Sequence, residues 1–396
     1  MDAVILAAGK GARIYPFSQD RPKPLIRIAN KAVLEHNLDQ MVGIVTHAII
    51  IVGYKKDMII DHLGDTYKGI KLTYLVQEEQ KGTAHALLQA KDLISSKMLV
   101  LNGDDLFARK DMLNLVKYPN SILVEYKDDP SAFGSVIIED HHVKEIVEKS
   151  PTLISHFVNT GMYCFEKEVF TLLSTLKPSI RGEYELTDAV KNLADQGKMY
   201  AEAVEGYWIP VGYPWHILDA TEILLATTHT LAIKGTLKPY VRINGTADIG
   251  EGTIIEEHTT LTGNVIIGKN VKIGKNVLLT GFCAIADSTI IEDNVVIHNS
   301  VIGNQCHLKS HSEIYDSVLG NNVLLYEQVV LHNSNPIITE MRTIPVHING
   351  KTFDSGKREL GSFIADNMAI QKSLNPGEVV GLAEVNNHEP STKNSS

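Results

Sequence analysis

The chain opens on a short apolar run, Val4-Ile5-Leu6-Ala7-Ala8, that passes into Gly9-Lys10-Gly11-Ala12-Arg13, with Pro16 and then Arg21-Pro22-Lys23-Pro24-Leu25 soon after. A buried strand that runs through small residues into a helix lets backbone N–H groups converge on an anion with no side chain in the way. The backbone of Leu6, Ala7, Ala8, Gly9 and Gly11 is therefore a candidate phosphate cradle. Arg13 and Lys23 are cations placed to neutralise a polyphosphate, and Pro22 and Pro24 predict a stiff extended segment around Lys23. Gly9-x-Gly11 alone could equally be a strand-to-helix turn. The nucleotide P-loop is excluded because Gly-Lys-Ser/Thr is missing downstream, and Ile14 stands where the dinucleotide fingerprint would have its third glycine.

Further polar strings follow. In Gln77-Glu78-Glu79-Gln80-Lys81-Gly82-Thr83-Ala84-His85, an extended run ends in glycine and starts a helix. Gln77 offers a donor and an acceptor on one amide, suited to a pyrimidine edge, and Gly82 is expected to let a base approach the backbone. A polar loop with a glycine turn fits the same residues. Leu99-Val100-Leu101-Asn102-Gly103-Asp104-Asp105 is an apolar strand ending in two carboxylates. A metal-bound triphosphate needs at least one anionic oxygen from the protein, and Mg²⁺ usually takes only one or two carboxylates. The alternative is an Asp turn capping the next helix, a role that suits Asp105 better. Phe133-Gly134, Glu148-Lys149 and Asn159-Thr160-Gly161 each read singly as a turn or a surface charge. Glu183 to Asp188 predicts a helix start with Thr187 or Asp188 near the cap.

The strings together resemble the signature of the sugar-1-phosphate nucleotidylyltransferases, the enzymes that make nucleotide sugars. The resemblance implies that Gln77, Gly82 and Thr83 belong to the base-recognition segment, with a glutamine there implying uracil or thymine. It implies Asp104, beside Gly103, as a Mg²⁺ ligand, and Gly134, Glu148 and Asn159 as the sugar-phosphate side. Arg13, Lys23 and Asp104 would carry catalysis: a sugar phosphate oxygen attacks the α-phosphorus of a nucleoside triphosphate and pyrophosphate leaves, with no covalent intermediate. One departure stands out. The family commonly has Trp-x-Asp-x-Gly, whose Asp is a second metal ligand, whereas this chain reads Trp208-Ile209-Pro210-Val211-Gly212. A backbone carbonyl, water or another acid such as Asp219 would have to complete the coordination, or turnover is weak and the chain is a regulatory sugar-nucleotide binder.

The elements that must position these residues follow from periodicity. The N-terminal part alternates short apolar runs with amphipathic segments, the pattern of a mostly parallel, Rossmann-like α/β sheet with helices on both faces. Strands are predicted at Ala3–Ala7, Ala48–Val52, Lys71–Val76, Met98–Leu101, Ile122–Tyr126 and Gly134–Ile138, and helices at Ala32–Val42 and Ala84–Leu93. Ligands of such sheets sit beyond the carboxyl ends of the strands, where Gly9 and Asp104 both fall. A helix is predicted from Trp215 to Ile233.

Beyond Gly235 the texture changes. Aliphatic residues recur every sixth position from Ile243 through Ile249, Ile255, Leu261, Ile267, Ile273, Leu279, Ile285 and Ile291 to Ile297, then after one-residue slips at Ile302, Leu308 and Ile314, and at Leu319, Leu325 and Leu331. Neither a helix nor a flat sheet has that period, but a triangular coil of short parallel strands does. The match is to the hexapeptide repeat of left-handed β-helices. The expected organisation is a nucleotidylyltransferase domain over 1–235, a β-helix over 243–333, a capping segment over 334–385 that has lost the period, and a polar disordered tail over 386–396. The whole resembles the archaeal bifunctional enzymes that join a nucleotidylyltransferase to an amino-sugar acetyltransferase, and Lys351 through Ala365 resembles a stretch near their end. Their catalytic His and Tyr are replaced: Ser310 and Glu313 stand there, with His311 displaced by one position and expected on the opposite strand face. The solenoid is read as an oligomerisation module, and the resemblance implies a trimer or a multiple.

The chain has 396 residues, 44% of them hydrophobic, and a formal charge of −10. That charge argues against general attraction to nucleic acid or an anionic membrane, so the partners expected are small: an NTP and a sugar 1-phosphate. Cys164, Cys283 and Cys306 have no paired spacing and no long apolar run is present, which points to the reducing cytoplasm.

Overall fold

The computed structural model describes residues 1–149, 152–227, 231–334 and 342–382. The expected tail at 386–396 lies outside them. The chain divides into two compact units: Met1–Lys10, Arg21–Leu25 and Ala32–Pro210 in the first, and Gly11–Asp20, Ile26–Lys31 and Val211–Ser396 in the second.

The first unit is built on a ten-stranded sheet. Its strands are β1 (Asp2–Ala7), β2 (His47–Val52), β3 (Thr66–Tyr67), β4 (Ile70–Val76), β5 (Met98–Asn102), β6 (Ser121–Tyr126), β7 (Gly134–Glu139), β8 (His142–Glu148), β9 (Phe157–Phe165) and β10 (Tyr200–Ala203). They lie in the order β7-β8-β10-β6-β9-β5-β1-β2-β4-β3. The four central strands β5, β1, β2 and β4 are mutually parallel, and β9 runs antiparallel to β5 and β6. Successive side chains of a strand point to opposite faces, so near-continuous apolar runs feed two cores. Val4, Ile49, Ile51 and Val100 pack with Ala84 and Leu87 of one helix and Leu186 and Val190 of another. Ala3, Ile5, Ile50 and Leu101 pack on the other face with Leu34, Leu38 and Met112.

Helix boundaries differ from the periodicity in two places. Thr83–Leu88 is helical, but Ala90, Lys91 and Leu93 bond three residues back rather than four, so the expected helix to Leu93 ends in tight turns. The helix starting near Trp215 spans His216–Thr227, and Leu231–Ile233 is a strand paired in parallel with Ala247–Ile249. Ladder pairing with the first solenoid coil overrides the local helical spacing there.

The second unit is a parallel β-helix. Arg242–Ile249 pairs with Thr260–Ile267, which pairs with Leu278–Ile285, and contacts such as Thr246 to Asn264 span 18 positions, one coil of three hexapeptides. The sixth-position residues from Ile249 to Leu331 form one continuous buried cluster. Corners need left-handed backbone, and His258, Asn270, Asn276, Asn294, Asn322 and Gln328 supply positive φ there. Hydroxyls tie coils together: Thr253, fully buried, donates to the Gly268 carbonyl and accepts from Val271 N–H. The first slip in the period is a shortened corner, where Gly281 and Phe282 face Asn299 alone and the coil spacing falls to 17.

The stretch expected to lose the period and cap the solenoid in fact rejoins it. Val318–Leu319 pairs with Phe363–Ile364, Leu324–Leu325 with Ala369–Ile370, and Phe363–Ile364 with Val379–Val380. Asn321 accordingly bonds Asp366, 45 positions on, because a long insertion interrupts the coil. That insertion carries a hairpin of Pro345–Ile348 and Lys351–Asp354. At the other end, solenoid pairing already begins at Leu231, ahead of the expected start at 243. All three cysteines are free and buried.

Neighbouring residues separate core from surface. Ile291 is 1% exposed and Ile290 is 38% exposed. Ile291→Ala is expected to lower unfolding free energy by about 2–5 kcal/mol, against about 0.5 kcal/mol for Ile290→Ala, as read by denaturant titration with circular dichroism.

Candidate functional site

In the first unit, the carboxyl ends of β1 and β5 meet side by side. Leu6 pairs with Asn102, and Gly103 N–H donates to the Leu6 carbonyl at 2.9 Å. A methyl on Gly103 would lie 3.0 Å from Ile5 and 3.1 Å from Ala7, so a larger residue would crowd β1 where β5 ends beside it. Asp104 follows immediately. Lys23 Nζ reaches its Oδ2 at 2.6 Å, with the Lys23 side chain 8% exposed and Asp104 40%. The expected extended segment around Lys23 is instead a 3₁₀ turn, Lys23–Leu25, closed by Leu25 N–H on the Pro22 carbonyl at 2.9 Å. Proline's fixed φ suits a tight turn as well as an extended strand, which is why the sequence reading went the other way.

Gly9 is open, with no atom near the position a Cβ would take. Before it, the Ala8 carbonyl accepts from Gln80 Nε2 at 2.6 Å and from Tyr54 N–H at 3.3 Å. Gln77 is buried, and its Nε2 donates to the Gly82 carbonyl at 3.2 Å and lies 3.0 Å from His85 Nδ1. Gly82 takes φ 108, and a methyl there would collide with the Tyr184 backbone. The sequence argument gave that glycine to an incoming base. Its bare α-carbon is used by Tyr184, whose N–H bonds Lys81 and whose carbonyl accepts from Ala84. Thr83 accepts from Leu186 N–H at 3.0 Å and so caps the helix Leu186–Asp195, a role expected of Thr187 or Asp188.

Asp105 does not cap a helix either. It starts the short strand Asp105–Phe107, antiparallel to Trp208–Pro210, and its buried carboxylate accepts from Trp208 Nε1 at 3.2 Å. Pro210 is the register partner of Asp105, one residue from Asp104, and brings no side-chain oxygen there. Among the described residues no group of three His, Cys, Asp or Glu is arranged to hold a metal ion.

The residues expected on the sugar side come together at the start of β7 and the end of β8. Gly134 pairs with Glu148, and a methyl on Gly134 would lie 2.8 Å from Glu148 Oε2 and 3.7 Å from Asn159 Cβ. Asn159 Nδ2 donates to the Tyr163 hydroxyl at 2.7 Å, and its Oδ1 accepts from Gly161 N–H at 2.9 Å. Burial pushes the Glu148 carboxyl up, partly opposed by Arg181, whose Nη2 lies 3.6 Å away. Burial would also raise Glu185, but hydrogen bonds from Arg181 and Ser179 outweigh it and hold that carboxyl below its ordinary range. Arg181, Glu185, Gln80 and His85 escaped the sequence reading. Gln80, His85 and Arg181 look like surface charge or loop polarity until the fold brings Ala8, Tyr184 and Glu148 beside them, and Glu185 is held by Arg181 and Ser179 close by in sequence.

Gly11 and Arg13 pack with the second unit. Gly11 takes φ 65 and heads the short turn Ala12–Ile14, and the Arg13 guanidinium lies 5.2 Å from the centre of the Tyr213 ring. Asp219, a candidate to replace the missing metal ligand, is paired with Lys357 Nζ at 2.5 Å. In the solenoid, Ser310 donates to Glu292, which also lies 2.6 Å from His307 Nε2, while Glu313 accepts from Tyr315. His311 occupies a left-handed corner with φ 62 rather than a strand, so strand alternation does not set its direction. Among the described residues no helix is long and apolar enough to cross a membrane.

The nucleotidyl transferase family matches residues 2–227, and the C-terminal domain named GMPPB matches 237–351. A Methanococcus maripaludis protein named "Bifunctional protein GlmU" is 36% identical over 387 residues, covering 96% of this chain and 92% of its own. A Haloferax volcanii "UTP--glucose-1-phosphate uridylyltransferase AglF" is 36% identical over 225 residues, 54% of this chain and 92% of its own. A solved Bacillus anthracis structure bearing the name "Putative Glucose-1-Phosphate Thymidylyltransferase" is 28% identical with a TM-score of 0.52, covering 59% of this chain and 98% of that one. The chain belongs to the nucleotidyl transferase family and is a sugar-1-phosphate nucleotidyltransferase whose α/β domain is followed by a parallel β-helix.

Proposed function

We propose that the chain transfers the nucleotidyl group of UTP or dTTP to a sugar 1-phosphate. The observation that carries this reading is the Lys23–Asp104 pair at 2.6 Å, set at the joined ends of β1 and β5. A sugar phosphate oxygen forms a bond to the α-phosphorus as the bond to the pyrophosphate oxygen breaks. No protein nucleophile is required, so positioning and charge neutralisation supply the rate. Lys23 would exchange its contact with Asp104 for the approaching phosphates, and Arg13 would neutralise the leaving pyrophosphate. Gln77, buried beside Gly82 and Thr83, would read the pyrimidine edge through its amide. The Gly9 opening and the backbone from Leu6 through Ala8 to Gly11 would cradle the triphosphate, flanked by Gly103. Gly134, Glu148 and Asn159 would hold the sugar. The glucose 1-phosphate relatives split between uridylyl and thymidylyl names, in keeping with a glutamine that accepts either base.

Families of this kind are typically metal-dependent. Asp104, released from Lys23, would be the carboxylate that holds Mg²⁺: it is 40% exposed at the strand end, whereas Asp105 is buried against Trp208 and Pro210 has no side-chain oxygen. That ion commonly takes one or two carboxylates and completes its shell with substrate phosphates and water. When bound it would offset charge on the triphosphate.

The bifunctional name of the Methanococcus relative raises acetyl transfer as a second reading for the solenoid. Ser310 and Glu313 at the two catalytic positions speak against it, and we propose self-association as the solenoid's role.

Incubation with Mg²⁺, each NTP and a panel of sugar 1-phosphates should release pyrophosphate with UTP or dTTP and much less with ATP or GTP; absence of release with every pair would overturn the reading. Asp104→Asn and Lys23→Ala should each lower kcat/KM by about 10²–10³-fold in that assay. Pro210→Asp should raise activity or lower the Mg²⁺ concentration needed for half-maximal rate. Acetyl-CoA with glucosamine 1-phosphate should yield no free thiol above background.

A further inference from the structure

The Gly11–Asp20 part of the signature loop belongs to the second unit, and residues near the C-terminus hold it there. The insertion hairpin turns through Asn349-Gly350, both with positive φ, which suits a two-residue turn matched to the strand twist. From that tip, Asn349 Nδ2 donates to the Ala12 carbonyl at 3.2 Å. On the returning strand, the Phe353 ring lies 5.2 Å from Tyr213, and Tyr213 stacks on Trp215 at 4.6 Å with the planes 4° apart. The guanidinium of Arg13 lies 5.2 Å from the centre of that same Tyr213 ring. Lys357, just past the hairpin, pairs with Asp219 of the helix His216–Thr227. A methyl on Gly381 would collide with the Tyr15 hydroxyl, so a further C-terminal residue closes tightly on the loop.

The manner of holding matters for the chemistry. A carboxylate partner would fix Arg13 but would compete with phosphate for its charge. An aromatic face orients the guanidinium plane and leaves its N–H groups unspent. Among the described residues no carboxylate pairs with Arg13, whose side chain is exposed and, without the ring, would sample many rotamers. Tyr213 is in turn held by two rings, stacked on Trp215 and in tilted contact with Phe353. We infer that Phe353, through Tyr213, and Asn349, through the Ala12 carbonyl, are positioning residues that set Arg13 for the pyrophosphate. This rests on the proposed role of Arg13.

A double-mutant cycle in the full-length chain tests it, with pyrophosphate release as the rate and thermal melting as the check on folding. Phe353→Ala should lower kcat about fivefold to tenfold in the wild-type background, with the KM for sugar 1-phosphate changed less than about twofold, while Phe353→Tyr keeps the rate. In an Arg13→Ala background, Phe353→Ala should cost nothing further. Asn349→Ala, at an exposed hairpin tip, should show the same pattern without lowering the melting temperature, and it keeps the test decisive if Phe353→Ala does not fold. Equal losses in both backgrounds, or wild-type rates for Phe353→Ala and Asn349→Ala, would overturn the inference alone. A wild-type rate for Arg13→Ala would instead overturn the reading of Arg13, and the inference with it.

Discussion

The close approach of two parallel strand ends, β1 and β5, is the constraint on which the proposed nucleotidyl site depends. Gly103 N–H on the Leu6 carbonyl fixes the cradle and the carboxylate of Asp104 to one frame, because Asp104 is covalently next to the glycine that makes the approach possible. A side chain there would crowd Ile5 and Ala7 and have to push them aside. The frame is stiff because β1 and β5 are central and buried on both faces, so each backbone group between them is paired within the sheet. A loop placed on such a frame can hold cations and donors at set distances without ordering them anew for each substrate, which is what a reaction run on positioning requires.

Glycine serves this site in three distinct ways, and the sequence distinguishes them poorly. Gly9 leaves open space, Gly103 admits a neighbouring strand, and Gly82 admits the backbone of Tyr184. All three stand in polar loops after apolar strands, so all three invite the same reading, approach by a ligand. Only Gly9 has the free space that such an approach needs. The Gly82 contact comes from a segment more than a hundred positions away in sequence, and no local pattern announces it.

Local and periodic features were legible: the strands of the central sheet, the sixth-position ladder, and the loop with its two cations. Each is encoded in side-chain spacing over a few residues, and burial of Ile249 through Leu331 follows from that spacing alone. Features made by pairing at a distance were not. Leu231–Ile233 reads as helix until Ala247–Ile249 offers a ladder, and Phe363–Val380 reads as aperiodic because the insertion hides the next coil 45 positions on. Arg181 likewise looks like a charge in a glycine turn until Glu185 and Glu148 are both found beside it. The site therefore divides into a part written locally and a part assembled by topology.

The two cations of the signature loop show how far that division reaches into the chemistry. Lys23 is buried against a carboxylate and so held by opposite charge, and in the proposed reaction one of its three donors would turn to a phosphate. Its ammonium is a compact charge that can change partner with a small motion of a flexible stem. Arg13 lies over an aromatic ring instead, near it but not neutralised by it. A planar guanidinium suits that arrangement, since its edge stays available while its face is covered. One cation is thus stored by charge and the other by shape. The first arrangement needs only Asp104, at the end of a strand that the sequence displays openly. The second needs Tyr213 stacked on Trp215 with Phe353 tilted against it, which places a loop from the beginning of the chain under the control of a hairpin near its end.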